Sequence, residues 1–492
     1  MKRIYPISTP EAQGIPSSAL LRFQKALDEH RVPLHSVLLM RKGHVVCEAY
    51  SAPFTEDTLH RMYSVTKSFV SLAIGLLQEE GCLNLKDCVA DYFADKLKGR
   101  ELHPYIRETT IRHLLCMASP HTTSAYKVLY GEAWESCDMV ESFFICPPTH
   151  KPGTCFAYDT SATHVLCALV ERMTGKKLMA YLHEKCLHKL NFSPEAYCLE
   201  DANGHSLGGS GLMAAPYDLL RIMHTVMNGG RHEGCKLFPE AYLREATAKQ
   251  IDNYAKPPSG GLDESMGYGY LFWRTRKNGF ACYGMGGQLA VCFPDQELIF
   301  VTTADVQDIP GGVQLIYDTF FREVWPYLNE GPLPENLPDY HALQAYSASR
   351  KLPCVPGKTQ SLLMNRINGA CYVLDDNPMG FRSIKLTWQK DQGTLTYENQ
   401  NGLFALPFAM GDNLITRFPE GDYRCAVSGA FRDEGVFVIC AQLIDVCVGS
   451  ITFELAFQDE HVTLLMHKVE ETLFGEYRGI VSGRMALETD SF

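Results

Sequence analysis

Apolar positions set out a first half that alternates between helix and strand spacing. Leu20, Leu21, Phe23 and Leu27 follow Pro16-Ser17-Ser18 at helical intervals, which predicts an opening helix. Apolar runs at 37–40 and 45–50 flank a polar turn at 41–44 and predict a hairpin. Residues 64–80 carry Val65, Phe69, Leu72, Ala73, Leu76 and Leu77, a strongly apolar helix that Gly81 would cap. A mainly helical stretch follows over 85–255, with helices at 162–173 and 216–227 ending at Gly175 and at Gly229-Gly230. Strand character then takes over at 270–275, 280–283, 289–293 and 298–303, before an amphipathic helix at 313–327. Short strands joined by tight turns, with helices before and after, predict an α+β domain. Its antiparallel sheet is flanked by helices, and an all-helical subdomain is inserted.

Between 326 and 356 lie Pro332, Pro334, Pro338 and Pro353, a linker composition. Beyond it, short alternating runs at 384–388, 394–397, 402–408, 436–443 and 451–457 are separated by turn signals such as Asn401-Gly402. The expected organisation is a first domain over 1–330, a proline-rich linker over 331–358, and an all-β barrel or sandwich over 359–492.

Length and composition narrow the class. At 492 residues, with 46% hydrophobic and 21% charged, the chain reads as an ordinary globular protein of two or three domains. Its net charge of −12 gives no general attraction for nucleic acid or an anionic membrane, so neither is expected as a partner. The opening lacks the apolar run of a signal peptide, and no run of apolar residues is long enough to span a bilayer. The 18 cysteines are scattered, without CxxC pairs, and read as reduced, mostly buried thiols of a cytoplasmic protein. The 17 histidines form no HExxH or similar pair, and no metal or organic cofactor is implied. G-x-S-x-G and phosphate-loop motifs are absent.

One short motif carries chemistry. Ser64-Val65-Thr66-Lys67 is an S-x-x-K at the head of the apolar helix. Residues three apart share a helix face, so the Lys67 ammonium can reach the Ser64 hydroxyl. A desolvated lysine can take a proton from serine, and a helix N-terminus favours a nearby oxyanion. Taken alone the motif is weak, since about one or two such matches arise by chance. The chain holds a second, Ser124-Ala125-Tyr126-Lys127, in a polar stretch. The bland alternative for Ser64 is a helix cap beside a solvated lysine.

The surroundings of Ser64 resemble the serine β-lactamase, penicillin-binding-protein and class C-like esterase superfamily. The resemblance rests on Met62-Tyr63-Ser64-Val65-Thr66-Lys67-Ser68-Phe69, Thr110-Ile111-Arg112-His113-Leu114-Leu115-Cys116-Met117, Pro152-Gly153-Thr154-Cys155-Phe156-Ala157-Tyr158, Glu171-Arg172-Met173-Thr174-Gly175, Gly208-Gly209-Ser210-Gly211-Leu212 with Asp218-Leu219, and Gly284-Met285-Gly286-Gly287-Gln288. It covers roughly 8–328, in order. It implies Ser64 as nucleophile, Lys67 and Tyr158 as the proton-handling pair, and an oxyanion hole from the backbone N–H groups of Ser64 and Gly287. Gly286, Gln288 and Thr160 are the further substrate-side candidates. Independently, a phenol near an ammonium ionises more easily and can serve as a base.

Two departures bear on the substrate. The second motif, usually Tyr-x-Asn, is Tyr158-Asp159-Thr160, and the third, usually begun by Lys or His, begins with Gly284. Loss of an orienting amide and of a cation suited to a carboxylate disfavours penicillins and fits members that cleave esters or small amides of a small molecule or peptide. The alternatives are an acyltransferase and a non-catalytic binding protein on the same scaffold. The β domain has no role that the sequence reveals.

Overall fold

The computed structural model describes residues 4–254, 261–469 and 477–486. Of the loop at 230–265, residues 255–260 lie outside the described residues. The chain divides into two compact units, Met1–Arg350 and Lys351–Phe492.

The first unit is built on a six-stranded antiparallel sheet of β1 (Leu34–Arg41), β2 (His44–Tyr50), β3 (Trp273–Thr275), β4 (Gly279–Gly284), β5 (Gln288–Phe293) and β6 (Leu298–Ala304), in the order β2-β1-β6-β5-β4-β3. Successive side chains of a strand point to opposite faces, and both faces here are covered. Val37 and Leu39 of β1, Val291 and Phe293 of β5 and Phe300 of β6 pack with Phe23 of α1 (Ser17–Glu29). Leu38, Met40, Ala290 and Ile299 pack instead with α2 (Val65–Glu79) and the helical subdomain. That subdomain holds α3 (Thr160–Thr174), and α4 (Pro216–Met227) shares the same core. The helix α5 (Gly312–Glu323) lies on the α1 side, through Ile316 and Phe320. The expected α+β architecture is therefore present.

Two boundaries differ from expectation. The strand expected over 270–275 begins only at Trp273, because Leu271 takes a left-handed φ of 60° that no strand accommodates. The stretch expected as linker contains a helix, α6 (Leu337–Ala348), that belongs to the first unit. Pro338 sits in its first turn, where a missing N–H costs nothing, so proline there marks a helix start. Beyond α6, Arg350 forms a bidentate pair with Asp28 of α1 at 2.8 and 2.7 Å.

The second unit shows ten strands among the described residues, β7 (Cys371–Leu374), β8 (Ser383–Gln389), β9 (Gln392–Asn399), β10 (Gly402–Met410), β11 (Leu414–Arg417), β12 (Arg424–Phe431), β13 (Val436–Ile444), β14 (Val448–Gln458), β15 (His461–Val469) and β16 (Gly479–Met485). Strand β10 meets β12 through Ala409↔Ser428 and Met410↔Gly429, closing nine strands into a barrel with β11 appended to β12. Leu395, Tyr397, Phe408, Phe437, Phe453 and Leu464 fill the core. Closure removes the unpaired edges that would otherwise invite association.

No helix among the described residues is long and apolar enough to cross a membrane. Cys47, Cys116, Cys167, Cys282 and Cys292 are buried thiols.

Candidate active site

The helix α2 is buried on every side, with Val65, Phe69, Leu72 and Leu76 all in the core, so its N-terminus is fixed by packing. Ser64 is its N-cap but makes no capping hydrogen bond through its side chain. Instead Lys67 Nζ donates to Ser64 Oγ at 2.9 Å and to the Gly209 carbonyl at 2.7 Å. Lys67 is 1% exposed. This disposes of the bland alternative, since the serine does not cap and the lysine is not solvated. The second S-x-x-K contrasts with it, because Lys127 is exposed.

Two segments hold this geometry. The turn before Ser64 is tight, with Tyr63 at a left-handed φ of 46°. It is clamped to the glycine-rich run. Met62 N–H donates to the Leu212 carbonyl at 2.8 Å, and Leu212 N–H to Thr66 Oγ1 at 3.0 Å. A Cβ on Gly209 would fall 2.2 Å from Thr160 Cγ2, and one on Gly208 2.3 Å from Cys167 Cβ. Only glycine lets the run lie this close to α3 and present its carbonyl to Lys67. Thr160 is thus packed on the backbone that holds Lys67.

Tyr158 immediately precedes the cap of α3. Asp159, fully buried, accepts from Ser161 N–H at 2.9 Å, from Ser119 Oγ at 2.8 Å and from Ser161 Oγ, which fixes the neighbouring tyrosine. Lys67 Nζ lies 4.9 Å from the Tyr158 ring centroid, over its face. Burial raises the Tyr158 phenol well above its usual value, Glu264 adds to the rise, and a hydrogen bond with Ser64 offsets part of it. The expectation of an easily ionised phenol is therefore corrected. Desolvation is the largest influence on the phenol and holds it protonated at rest.

Gly284 ends β4 against the turn before Ser64, where an added Cβ would lie 2.2 Å from the Met62 carbonyl oxygen. The absence of a Lys or His thus has a steric cause. Gly284→Ala is expected to cost about 1–3 kcal/mol by overpacking and to slow Ser64 labelling, measured by thermal melts beside labelling rates. Unchanged melting and labelling would refute this contact.

Gly286 and Gly287 follow with left-handed φ values of 83° and 95°. Gly287 N–H makes a long turn bond of 3.3 Å to the Gly284 carbonyl. The side chain of Gln288 points inward. Its Nε2 donates to the Met285 and Ala304 carbonyls, each at 2.8 Å, and its Oε1 accepts from Ala304 N–H at 3.1 Å. Buried and fully engaged, it positions the turn and has no amide left for a substrate.

Around Tyr158 stand groups that sequence reading misses. Trp273 lies 5.4 Å and Tyr268 6.5 Å from its ring, and Tyr283 lies 5.8 Å from Trp273. Tyr283 hydrogen-bonds Glu264, whose carboxyl burial pushes up. These residues come from strands and loops well separated in sequence, so no local pattern announces them. A separate hollow of about 430 Å³, lined by Arg172, Lys177 and His205, lies at the other end of α3. Among the described residues no group of three or more His, Cys, Asp or Glu is placed to hold a metal ion.

Known proteins share this arrangement of sheet and helices. The chain is 23% identical over 220 residues to the 6-aminohexanoate-dimer hydrolase of Paenarthrobacter ureafaciens, covering 43% of this chain and 56% of that one. It is 24% identical over 203 residues to protein flp of Staphylococcus aureus, covering 37% and 40%. The chain thus spans about half the length of the curated relatives it matches. Among solved structures, a Bacillus anthracis protein provisionally named a 6-aminohexanoate-dimer hydrolase superposes with a TM-score of 0.53 at 18% identity, covering 68% of this chain and 89% of that one. At these identities the likeness speaks for the fold. The Beta-lactamase family model matches residues 22–312, a span that contains α2, α3 and the sheet strands around the Ser64 site, and the chain belongs to the Beta-lactamase family.

Proposed function

We propose that this protein is a serine hydrolase that forms an acyl-enzyme on Ser64 and cleaves an ester or amide bond of a small molecule or peptide. One observation carries the reading. A buried amino group, that of Lys67, is hydrogen-bonded at 2.9 Å to a serine hydroxyl that is not engaged in capping its helix. Ser64 Oγ attacks the carbonyl carbon and its proton passes to the lone pair of Lys67, which acts as the neutral amine and becomes the ammonium. The developing oxyanion is held by the backbone N–H groups of Ser64 and Gly287, the former at the positive end of α2. Tyr158, neutral at rest, donates its proton to the leaving group and recovers one from Lys67. Water then releases the acyl group. The 6-aminohexanoate-dimer hydrolase name of a relative supports a linear amide among the substrates to be tried.

Intact mass after incubation with a fluorophosphonate or a reactive aryl ester tests this. A single adduct is expected on the wild type and none on Ser64→Ala. An adduct that persists in the variant, or none on folded wild type, would overturn the reading and favour a binding protein.

A further inference from the structure

Near Tyr158 stands an acid with no counter-charge among the described residues. Glu264 Oε1 is shielded from solvent and has no hydrogen-bond partner among the described residues. The groups acting on the carboxyl are the Tyr283 hydroxyl, the Gly261 N–H and Asp263, with no cation among them. Asp263 itself is neutralised by Arg276, which donates to it at 2.7 and 2.9 Å, so that arginine is already engaged. A buried, unpaired carboxylate oxygen is costly to keep, and a cation would relieve that cost.

The walls next to this oxygen are aromatic. Tyr283 hydrogen-bonds the carboxyl, Trp273 lies 5.8 Å from Tyr283, and Trp273 lies 5.4 Å from Tyr158. Glu264, Tyr283, Trp273 and Tyr158 are each half-buried. Ring faces beside a carboxylate suit an ammonium, which gains from both the charge and the ring quadrupoles. Gly284 follows Tyr283 directly and brings no cation of its own to this end of β4.

We propose that Glu264, Trp273 and Tyr283 form a subsite for a cationic ammonium group of the substrate, so that the bond cleaved at Ser64 belongs to an amino-substituted ester or amide. This deepens the Ser64 hydrolase reading and rests on it for the word substrate. The placement of the carboxyl and the rings stands without it.

Two measurements on the full chain separate the two claims. The first compares nitrophenyl esters of trimethylammoniobutanoate and of its isostere with carbon in place of nitrogen. Wild type is expected to favour the cationic ester by about 10-fold in kcat/KM. In Glu264→Gln that ratio should collapse towards one. No preference in wild type, or a preference that survives in the variant, overturns the subsite. The second titrates benzyltrimethylammonium calorimetrically into Ser64→Ala, with and without Glu264→Gln. Binding that depends on Glu264 supports the subsite even if no ester is turned over, in which case only the hydrolase reading falls. Absent binding, or binding indifferent to Glu264, overturns it. Glu264→Gln keeps the shape and one acceptor oxygen while removing the charge, and a melting curve checks that it folds.

Discussion

Lys67→Met is expected to slow acylation of Ser64 by about 10³-fold while the protein stays folded. The burial of Lys67 supports both halves of that expectation. The Lys67 amino group is 1% exposed and lies over the Tyr158 ring, so water has little access to replace it as proton acceptor. Tyr158 is a poor substitute, because burial holds its phenol protonated. The methionine side chain has similar length and no amino group to desolvate, which offsets the loss of its hydrogen bonds. Against that, the Gly209 carbonyl loses its 2.7 Å donor. An unsatisfied buried carbonyl costs about 1–3 kcal/mol, so the two contributions largely cancel. The rate of fluorophosphonate labelling, read beside a thermal melt, checks this. Labelling within tenfold of wild type would show that another group takes the proton.

The Ser64–Lys67 pair is legible in sequence because both members sit within one helical turn, and the apolar pattern of 64–80 reveals that turn's burial. Other parts of the site are built from atoms that leave no local trace. The Gly209 carbonyl reaches Lys67 only because Gly208 and Gly209 let the chain press on α3. Glu264 joins Tyr158 through folding alone. Gln288 shows the converse, since its place in a motif suggests a substrate contact while its amide is engaged internally. In the second unit, β12 escapes notice because Ala426, Ser428, Gly429 and Ala430 are small, and its burial on both faces leaves no alternation. Strand β15 does alternate, with Val462, Leu464 and Met466 inward, but Leu465 is apolar and 42% exposed, which blurs the pattern.

Arg221→Met is expected to destabilise the first unit by about 3–5 kcal/mol, the cost of breaking a buried ion pair by removing one partner. Arg221 Nη1 donates to Asp218 Oδ1 at 2.6 Å, and both side chains are 0% exposed. The same carboxylate accepts from Ser193 N–H at 3.0 Å and Ala215 N–H at 3.2 Å. It thereby caps α4 and anchors the chain just after Leu212, which is clamped to the turn before Ser64. The loss should therefore reach Ser64 labelling as well as the melt. Its pH dependence has a definite sign. Burial raises the Asp218 carboxyl above its ordinary value of 3.8 even with Arg221 present, and Arg221 acts to lower it. Without Arg221 the folded-state value rises further. Between the unfolded and folded values the folded protein then binds more protons, so stability falls as pH rises through that window. The variant should thus recover part of its loss on acidification from pH 7 towards the unfolded value, relative to wild type under the same conditions. Denaturant unfolding at a series of pH values measures this difference. A penalty that is constant across pH would place the cost in packing around Tyr217, whose ring centroid lies 4.6 Å from the Arg221 guanidinium, and not in the stranded carboxylate.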